Sequence, residues 1–228
     1  MEENRVVPVY QPIVNRDGKV MKYETLMRLR DKDTNKLITL NYFLDIAVKT
    51  GLYSALSRYI IFEGLWRLDT SEHNLSFNFT YADIINKTLL NEIESFFITS
   101  PKLARRAIFE ITESEIIEDY ADMKSFIKQF RKYGVVFAID DFWSGFSNFE
   151  YILEVEPDYL KIDGSLVKNI DTDKKAYILV RAIVDFSHRL GIKVIAEYVH
   201  SDIIFQMLKK LNIDEFQGFY FSKPLENI

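Results

Sequence analysis

The chain has 228 residues, 48% of them hydrophobic, enough for one sizeable core in one large α/β domain or two small ones. Its net charge of -5 argues against generic binding to nucleic-acid backbone or anionic lipid, so neither polymeric nucleic acid nor a membrane is an expected partner. The absence of cysteine rules out disulfides and thiolate metal sites and fits a reducing compartment. No uncharged apolar run approaches the ~20 residues that span a bilayer, and the opening MEENRVVPVY lacks the basic-then-apolar order of a secretory leader.

In chain order, RVVPVYQPIV and KVMKYETLMRL flank NRDG (Asn15 to Gly18), which reads as a hairpin turn. NYFLDIAVKTGL and SALSRYIIFEGLWRL are amphipathic helices, LSFNFT is a short strand, and a helical stretch runs from Tyr81 through LLNEIESFFITS. RAIFEIT is a strand, and EDYADMKSFIKQFRKYG is a helix ending on Gly134. VVFAID is a strand, SNFEYILEV a short helix, PDYLKID a strand, and KKAYILVRAIVDFSHRLG a helix ending on Gly191. IKVIAEYV is a strand, SDIIFQMLKKLN a helix, and EFQGFYFSKPL closes the chain as a last short strand and tail. No linker or low-complexity tract interrupts this series, so residues 1–228 read as a single domain. The repeated β–α units favour a closed parallel barrel over an open doubly wound sheet. The absence of a G-x-G-x-x-G or P-loop stretch points the same way.

Polar residues interrupt the strands at particular places. Glu24 lies in YET, Asn78 in FNF, Glu110 in FEI, Lys161 in LKI and Glu197 in AEY; Asp140 ends FAID, followed directly by Asp141. Strand side chains alternate faces, so the apolar neighbours face the helices and each polar residue points into the barrel mouth. Taken singly, each is an ordinary structural hydrogen-bonder. Five carboxylates with an Asn, a Lys and Gln217 at successive strand ends form an acidic cluster too costly to bury uncompensated. Every candidate ligand is an oxygen, which suits hard divalent cations and disfavours zinc. Adjacent Asp140 and Asp141 suit two neighbouring ions, and a two-metal site suits phosphodiester hydrolysis.

The stretches YQPIV…YETLMR, FNFT, FEITES, IDDFWSGFS, YLKIDGSLV, IAEYV and QGFYFSKPL, in this order, resemble the motifs of the EAL-domain family over essentially the whole chain. ETL stands where the family's EAL does. That family comprises bacterial phosphodiesterases that open cyclic di-GMP to linear pGpG. The resemblance implies a modified (β/α)8 TIM-like barrel with one antiparallel strand, two Mg²⁺ or Mn²⁺ ions per site, and a homodimer. It also implies a cytoplasmic setting, or the cytoplasmic side of a membrane-anchored parent, with a possible upstream sensor or cyclase domain. By resemblance, Glu24, Asn78, Glu110 and Asp140 are metal ligands and Asp141 belongs to the second metal. Lys161 holds the water or the scissile phosphate, Glu197 is the general base, and Gln217 completes the site. Gln11 and Arg28 contact the nucleotide, and Glu113 braces the loop after the paired aspartates.

Beyond ETL, five positions depart from the family pattern. Trp143 and Tyr198 replace glycines, Ser144 a threonine, Phe146 a tyrosine, and His200 a second glutamate. If position 143 needs a positive φ, a tryptophan there carries strain. The metal and base positions are all retained, so an active phosphodiesterase is the favoured reading. A cyclic di-GMP receptor without turnover is the alternative, and a protein-interaction module using the barrel only as scaffold is the weaker third.

Overall fold

The computed structural model describes residues 5–112, 120–143 and 149–228. The strands are β1 (Val6–Asn15), β2 (Val20–Arg30), β3 (Leu37–Thr39), β4 (Asn74–Phe79), β5 (Ala107–Thr112), β6 (Val136–Phe142), β7 (Tyr159–Ile162), β8 (Lys193–Ala196) and β9 (Glu215–Gln217). The helices are α1 (Leu44–Lys49), α2 (Tyr53–Thr70), α3 (Tyr81–Ile84), α4 (Lys87–Thr99), α5 (Pro101–Ala104), α6 (Tyr120–Arg131), α7 (Phe149–Val155), α8 (Gly164–Val167), α9 (Lys174–Arg189) and α10 (Asp202–Lys210).

Eight strands close on themselves in the order β1-β2-β4-β5-β6-β7-β8-β9, because β1 pairs with both β2 and β9. β1 runs antiparallel to both neighbours, and β2 and β4 through β9 run parallel. This is the expected modified barrel with one antiparallel strand. The hairpin at NRDG forms as read, with the Gly18 N–H donating to the Asn15 carbonyl at 3.0 Å. β3 was not legible: it is three residues long and pairs only with Arg28–Arg30, where β2 runs past the barrel rim. The helical stretch after β4 is two helices, split where the Asn86 side chain caps α4 by accepting from the Leu89 N–H at 3.1 Å. Gly134 and Gly191 follow α6 and α9 with φ of 90° and 76°, the left-handed turn that ends a helix and that glycine adopts without penalty.

Alternation along each strand sorts the core into two regions. The outward set includes Phe77, Phe79, Phe109, Ile111, Phe137, Leu160, Ile162, Val194 and Phe216, all buried beneath the helices. Around Phe109, the rings of Phe79, Phe97, Phe126, Phe130 and Phe137 lie 4.4 to 6.2 Å away between centroids, an aromatic layer joining β4, β5 and β6 to α4 and α6. The inward set is polar at both ends. At the floor, Lys22 of β2 pairs with Glu215 of β9 at 2.7 Å, both buried, and the ammonium lies 3.3 Å from the centre of the Tyr159 ring. That ion pair spans β1 from inside the barrel. The C-terminal tail lies antiparallel beside β1 through paired backbone bonds between Tyr10 and Leu225.

α2 sits close on β2 and β4 because Gly64 has no side chain. A Cβ at 64 would overlap the Phe77 ring and press on Thr25 Cγ2 at 3.3 Å. Gly64→Ala is expected to destabilise the fold by about 1–3 kcal/mol through overpacking, despite alanine's better helix propensity. Equilibrium urea unfolding measures this; a stabilised variant would show that Phe77 has room to move.

Candidate active site

The C-terminal ends of the parallel strands gather the inward polar residues at one mouth. Cross-strand register places Gln11 beside Glu24 and Asn78 beside Glu110, each pair level and on one face. Lys161 comes from β7, Glu197 follows β8 directly, and Gln217 ends β9. The flanking apolar residues hold each polar one in place: Phe77 and Phe79 around Asn78, Phe109 and Ile111 around Glu110, Leu160 and Ile162 around Lys161.

Lys161 is the centre of the arrangement. Its ammonium, 0% exposed, lies 2.8 Å from Glu110, 2.9 Å from Glu197, 3.1 Å from Asp140 and 3.6 Å from Glu24. The contact to Glu110 is a hydrogen bond that the ammonium donates, and the others are close ion pairs. Glu24 is further held by amides: Asn78 donates to one oxygen at 2.9 Å and Gln217 to the other at 2.6 Å.

Strict alternation would turn adjacent Asp140 and Asp141 to opposite faces. The β6–β7 pairing instead shifts register between Ile139 and Phe142, and Asp141 takes φ of 53°. Such a bulge re-aims a side chain, and aspartate tolerates the left-handed region better than most residues. Two groups of three carboxylates result, Glu24 with Glu110 and Asp140, and Asp140 with Asp141 and Glu197. Within each group the ligand oxygens lie within 4.8 Å of one another. Asp140 belongs to both, as a ligand shared by two neighbouring cations would. The donors are all oxygen, and five carboxylates face one ammonium, so the residues fit hard divalent cations.

Protonation follows from this crowding. Burial raises the Glu110 carboxyl to about 7 against the pull of Lys161, with Glu24 and Asp140 adding to the rise. Burial and the neighbouring Asp140 push Asp141 up to about 6. Glu197 and Asp140 are also raised by burial, which Lys161 only partly offsets. For Glu24, burial is outweighed by Lys161 and the two amides, and the carboxyl is lowered. For Lys161, burial is outweighed by the surrounding carboxylates, so the ammonium is held charged.

The other candidates lie around this cluster. Gln11 and Gln217 line a cavity of ≈ 320 Å³ with Glu24, Glu197, Leu26 and Asp163. Arg28 follows Leu26 on the same face of β2. Its guanidinium donates to the Met27 carbonyl at 2.8 Å and, among the described residues, forms no ion pair, so it is not tied into a rim salt bridge. Glu113 and Phe146 lie outside the described residues. Asp163 carries no role in the sequence reading, yet it lines the cavity, caps α8 through the Ser165 N–H at 2.9 Å and helps raise Asp141. The Asp-Gly pair after LKI is the local sign of that turn. Trp143 does take a positive φ, 81°, and Tyr198 takes 57°, so both departures from glycine fall on left-handed backbone. His200 lies just before α10, whose N-cap is Ser201.

A TIM-like barrel with an oxygen-only acidic constellation at the strand ends defines the class of protein. The EAL domain model matches residues 1–224, and the chain belongs to the EAL-domain family. It is 30% identical over 235 residues to the cyclic di-GMP phosphodiesterase PdeB of Shewanella oneidensis, and 28% identical over 229 residues to the cyclic di-GMP phosphodiesterase PdeF of Escherichia coli. These matches cover 98% of the chain but only 27% and 30% of those two proteins, so the chain spans less than a third of either. Among solved structures, the PaMucR phosphodiesterase in complex with c-di-GMP superimposes with a TM-score of 0.89 at 27% identity, over 98% of this chain and 93% of that one. An EAL domain protein from Listeria monocytogenes gives 0.88 at 26% identity, over 98% and 90%. No helix among the described residues is long and apolar enough to cross a membrane.

The raised carboxyls fix a sign. Where a folded-state pKa exceeds the unfolded one, the folded protein holds the extra proton, and stability falls as pH rises between the two values. For Glu110 and Asp141 that window runs from the ordinary carboxylate range up to about 7 and about 6. In the presence of chelator, the melting temperature is expected to fall between pH 4.5 and 7, and to fall less in Asp141→Asn, whose difference from native should be complete by about pH 6. Mg²⁺ or Mn²⁺ should raise it more at pH 7.5 than at pH 5.5, because protons compete for the same oxygens. A cation effect equal at both pH values would show that these carboxylates do not bind it.

Proposed function

We propose that this domain is a metal-dependent phosphodiesterase that hydrolyses one phosphodiester of cyclic di-GMP to linear pGpG. The observation that carries the reading is the pair of carboxylate groups sharing Asp140 around Lys161 at the strand ends of a barrel. The names of PdeB, PdeF and the PaMucR complex supply the substrate class. Glu24, Asn78, Glu110, Asp140 and Asp141 would hold two Mg²⁺ or Mn²⁺ ions. When bound, these ions supply Lewis-acid charge that acidifies water and offsets the charge on the transferring phosphoryl group.

The chain's own residues perform the remaining tasks. Glu197, partly exposed at the mouth, takes the proton of the attacking water. Lys161 holds Glu197 Oε1 at 2.9 Å and so orients the base. It meets the water or a phosphate oxygen by releasing one of its three close carboxylate partners. Arg28, which has no carboxylate partner among the described residues, offers a two-pronged donor to a phosphate at the rim. Gln11 and Gln217 present amides to the nucleotide in the cavity. The principal test is incubation of purified protein with cyclic di-GMP and Mn²⁺, with the product identified by chromatography.

Glu197→Gln keeps shape while removing the base. It is expected to lower kcat by about 10²-fold or more and leave cyclic di-GMP affinity nearly unchanged. Native-like turnover in this variant would remove Glu197 from the role.

The second reading, a receptor that binds without turnover, is favoured by the strained backbone at Trp143, two residues beyond Asp141. An aromatic residue at positive φ costs on the order of 1–2 kcal/mol, and glycine pays none of it. Trp143→Gly is therefore expected to raise turnover across a Mn²⁺ titration, by letting the loop hold Asp141 on the second ion, with nucleotide affinity roughly unchanged. If neither rate nor metal dependence moves, the tryptophan is not what limits the site.

A further inference from the structure

We propose that Tyr198 is a specificity-determining residue of this site, an aromatic wall against which one purine of the cyclic dinucleotide stacks. The inference rests on the function proposed above and extends it to a position where this chain departs from its family.

The cavity at the mouth has two unlike sides. Gln11, Glu24, Glu197 and Gln217 line it with polar atoms, while Tyr198, His200 and Phe219 line it with rings. At ≈ 320 Å³ it lies at the small end of small-molecule sites, a fit for one nucleoside half of a dinucleotide. A phosphate belongs with the polar donors and cations, and a base belongs with the rings.

Tyr198 is held there at a cost. Its φ of 57° is one that an aromatic residue rarely adopts, and observed strain beside an active site is a ground for inferring function. Packing does not repay the cost, because the side chain is 60% exposed. Yet the ring is seated. Beneath it is Gly164, the first residue of α8, where an added Cβ would come within 2.7 Å of the Tyr198 Cβ. Beside it the His200 ring stands edge-on at 5.8 Å and 79°. His200 is anchored in turn, its Nε2 lying 3.0 Å from the Lys168 carbonyl, an acceptor that requires the proton on that nitrogen. A ring fixed from two sides and still open to solvent is preorganised to stack on a flat partner.

Three variants separate stacking from bulk. Tyr198→Phe keeps the π face, Tyr198→Leu keeps apolar volume without it, and Tyr198→Gly removes both and relaxes the backbone. Calorimetry with Ca²⁺ in place of a turnover-supporting metal measures cyclic di-GMP affinity. Competition with GMP and with ribose 5-phosphate separates the base from the phosphate. The Leu and Gly variants are expected to lose roughly tenfold in affinity for cyclic di-GMP and GMP, the scale of one stacked base, and Phe to stay within about threefold of native. Ribose 5-phosphate should bind all four proteins alike. Tyr198→Gly should melt no lower than native, so its loss would not be one of folding.

Native-like affinity in Tyr198→Leu, or an equal loss for GMP and ribose 5-phosphate, would overturn the stacking role while leaving the phosphodiesterase reading intact. A native protein that binds neither cyclic di-GMP nor GMP would overturn both.

Discussion

The site depends on one buried ammonium. Lys161 stands with no solvent contact among carboxylates from β2, β5 and β6 and the residue following β8, so a single positive charge ties strands from around most of the barrel to one point. Burying an unpaired ammonium or an unpaired carboxylate would each cost several kcal/mol; together they compensate, and the excess of negative charge is left for cations to meet. The same contacts set the chemistry. The residue that holds the acidic cluster together also orients the proposed base, so structure and reactivity cannot be varied independently at this position.

Much of this is legible in the amino-acid sequence. Asn78, Glu110 and Lys161 each interrupt an apolar strand, and alternation alone sends them inward while their neighbours pack against helices. The hairpin at Asn15–Gly18 and the glycine helix ends carry local chemistry that the sequence displays directly. The illegible parts have no local signal. β3 exists because β2 overruns the rim, and the closure of β1 onto β9 joins residues about two hundred positions apart. Asp163 enters the site only because α8 turns over the mouth. The adjacent aspartates suit two neighbouring ions on sequence alone; the geometry adds a bulge between Ile139 and Phe142, where strict alternation would turn them to opposite faces.

Asp141, Trp143 and Tyr198, three non-glycine residues of left-handed backbone, border the acidic cluster. At two of them glycine would be free of strain. Each non-glycine residue held there costs on the order of 1–2 kcal/mol, so stability is given up beside Asp141 and Glu197. Among the described residues, the phenylalanine layer behind them carries no such strain.

The floor pair of Lys22 and Glu215 bears on how the chain is made. Lys22 is synthesised early, and its partner follows 193 residues later, as does Gln217 for Glu24. Until β9 has left the ribosome, β2 carries a lysine destined for burial without its counter-charge and a glutamate lacking one of its two amide donors, and β1 has only one of its two neighbours. Long-range closure of this kind is slow and comes last. A chain ending before Glu215 therefore lacks the closure of β1 onto β9, and its Lys22 has no buried counter-charge to meet.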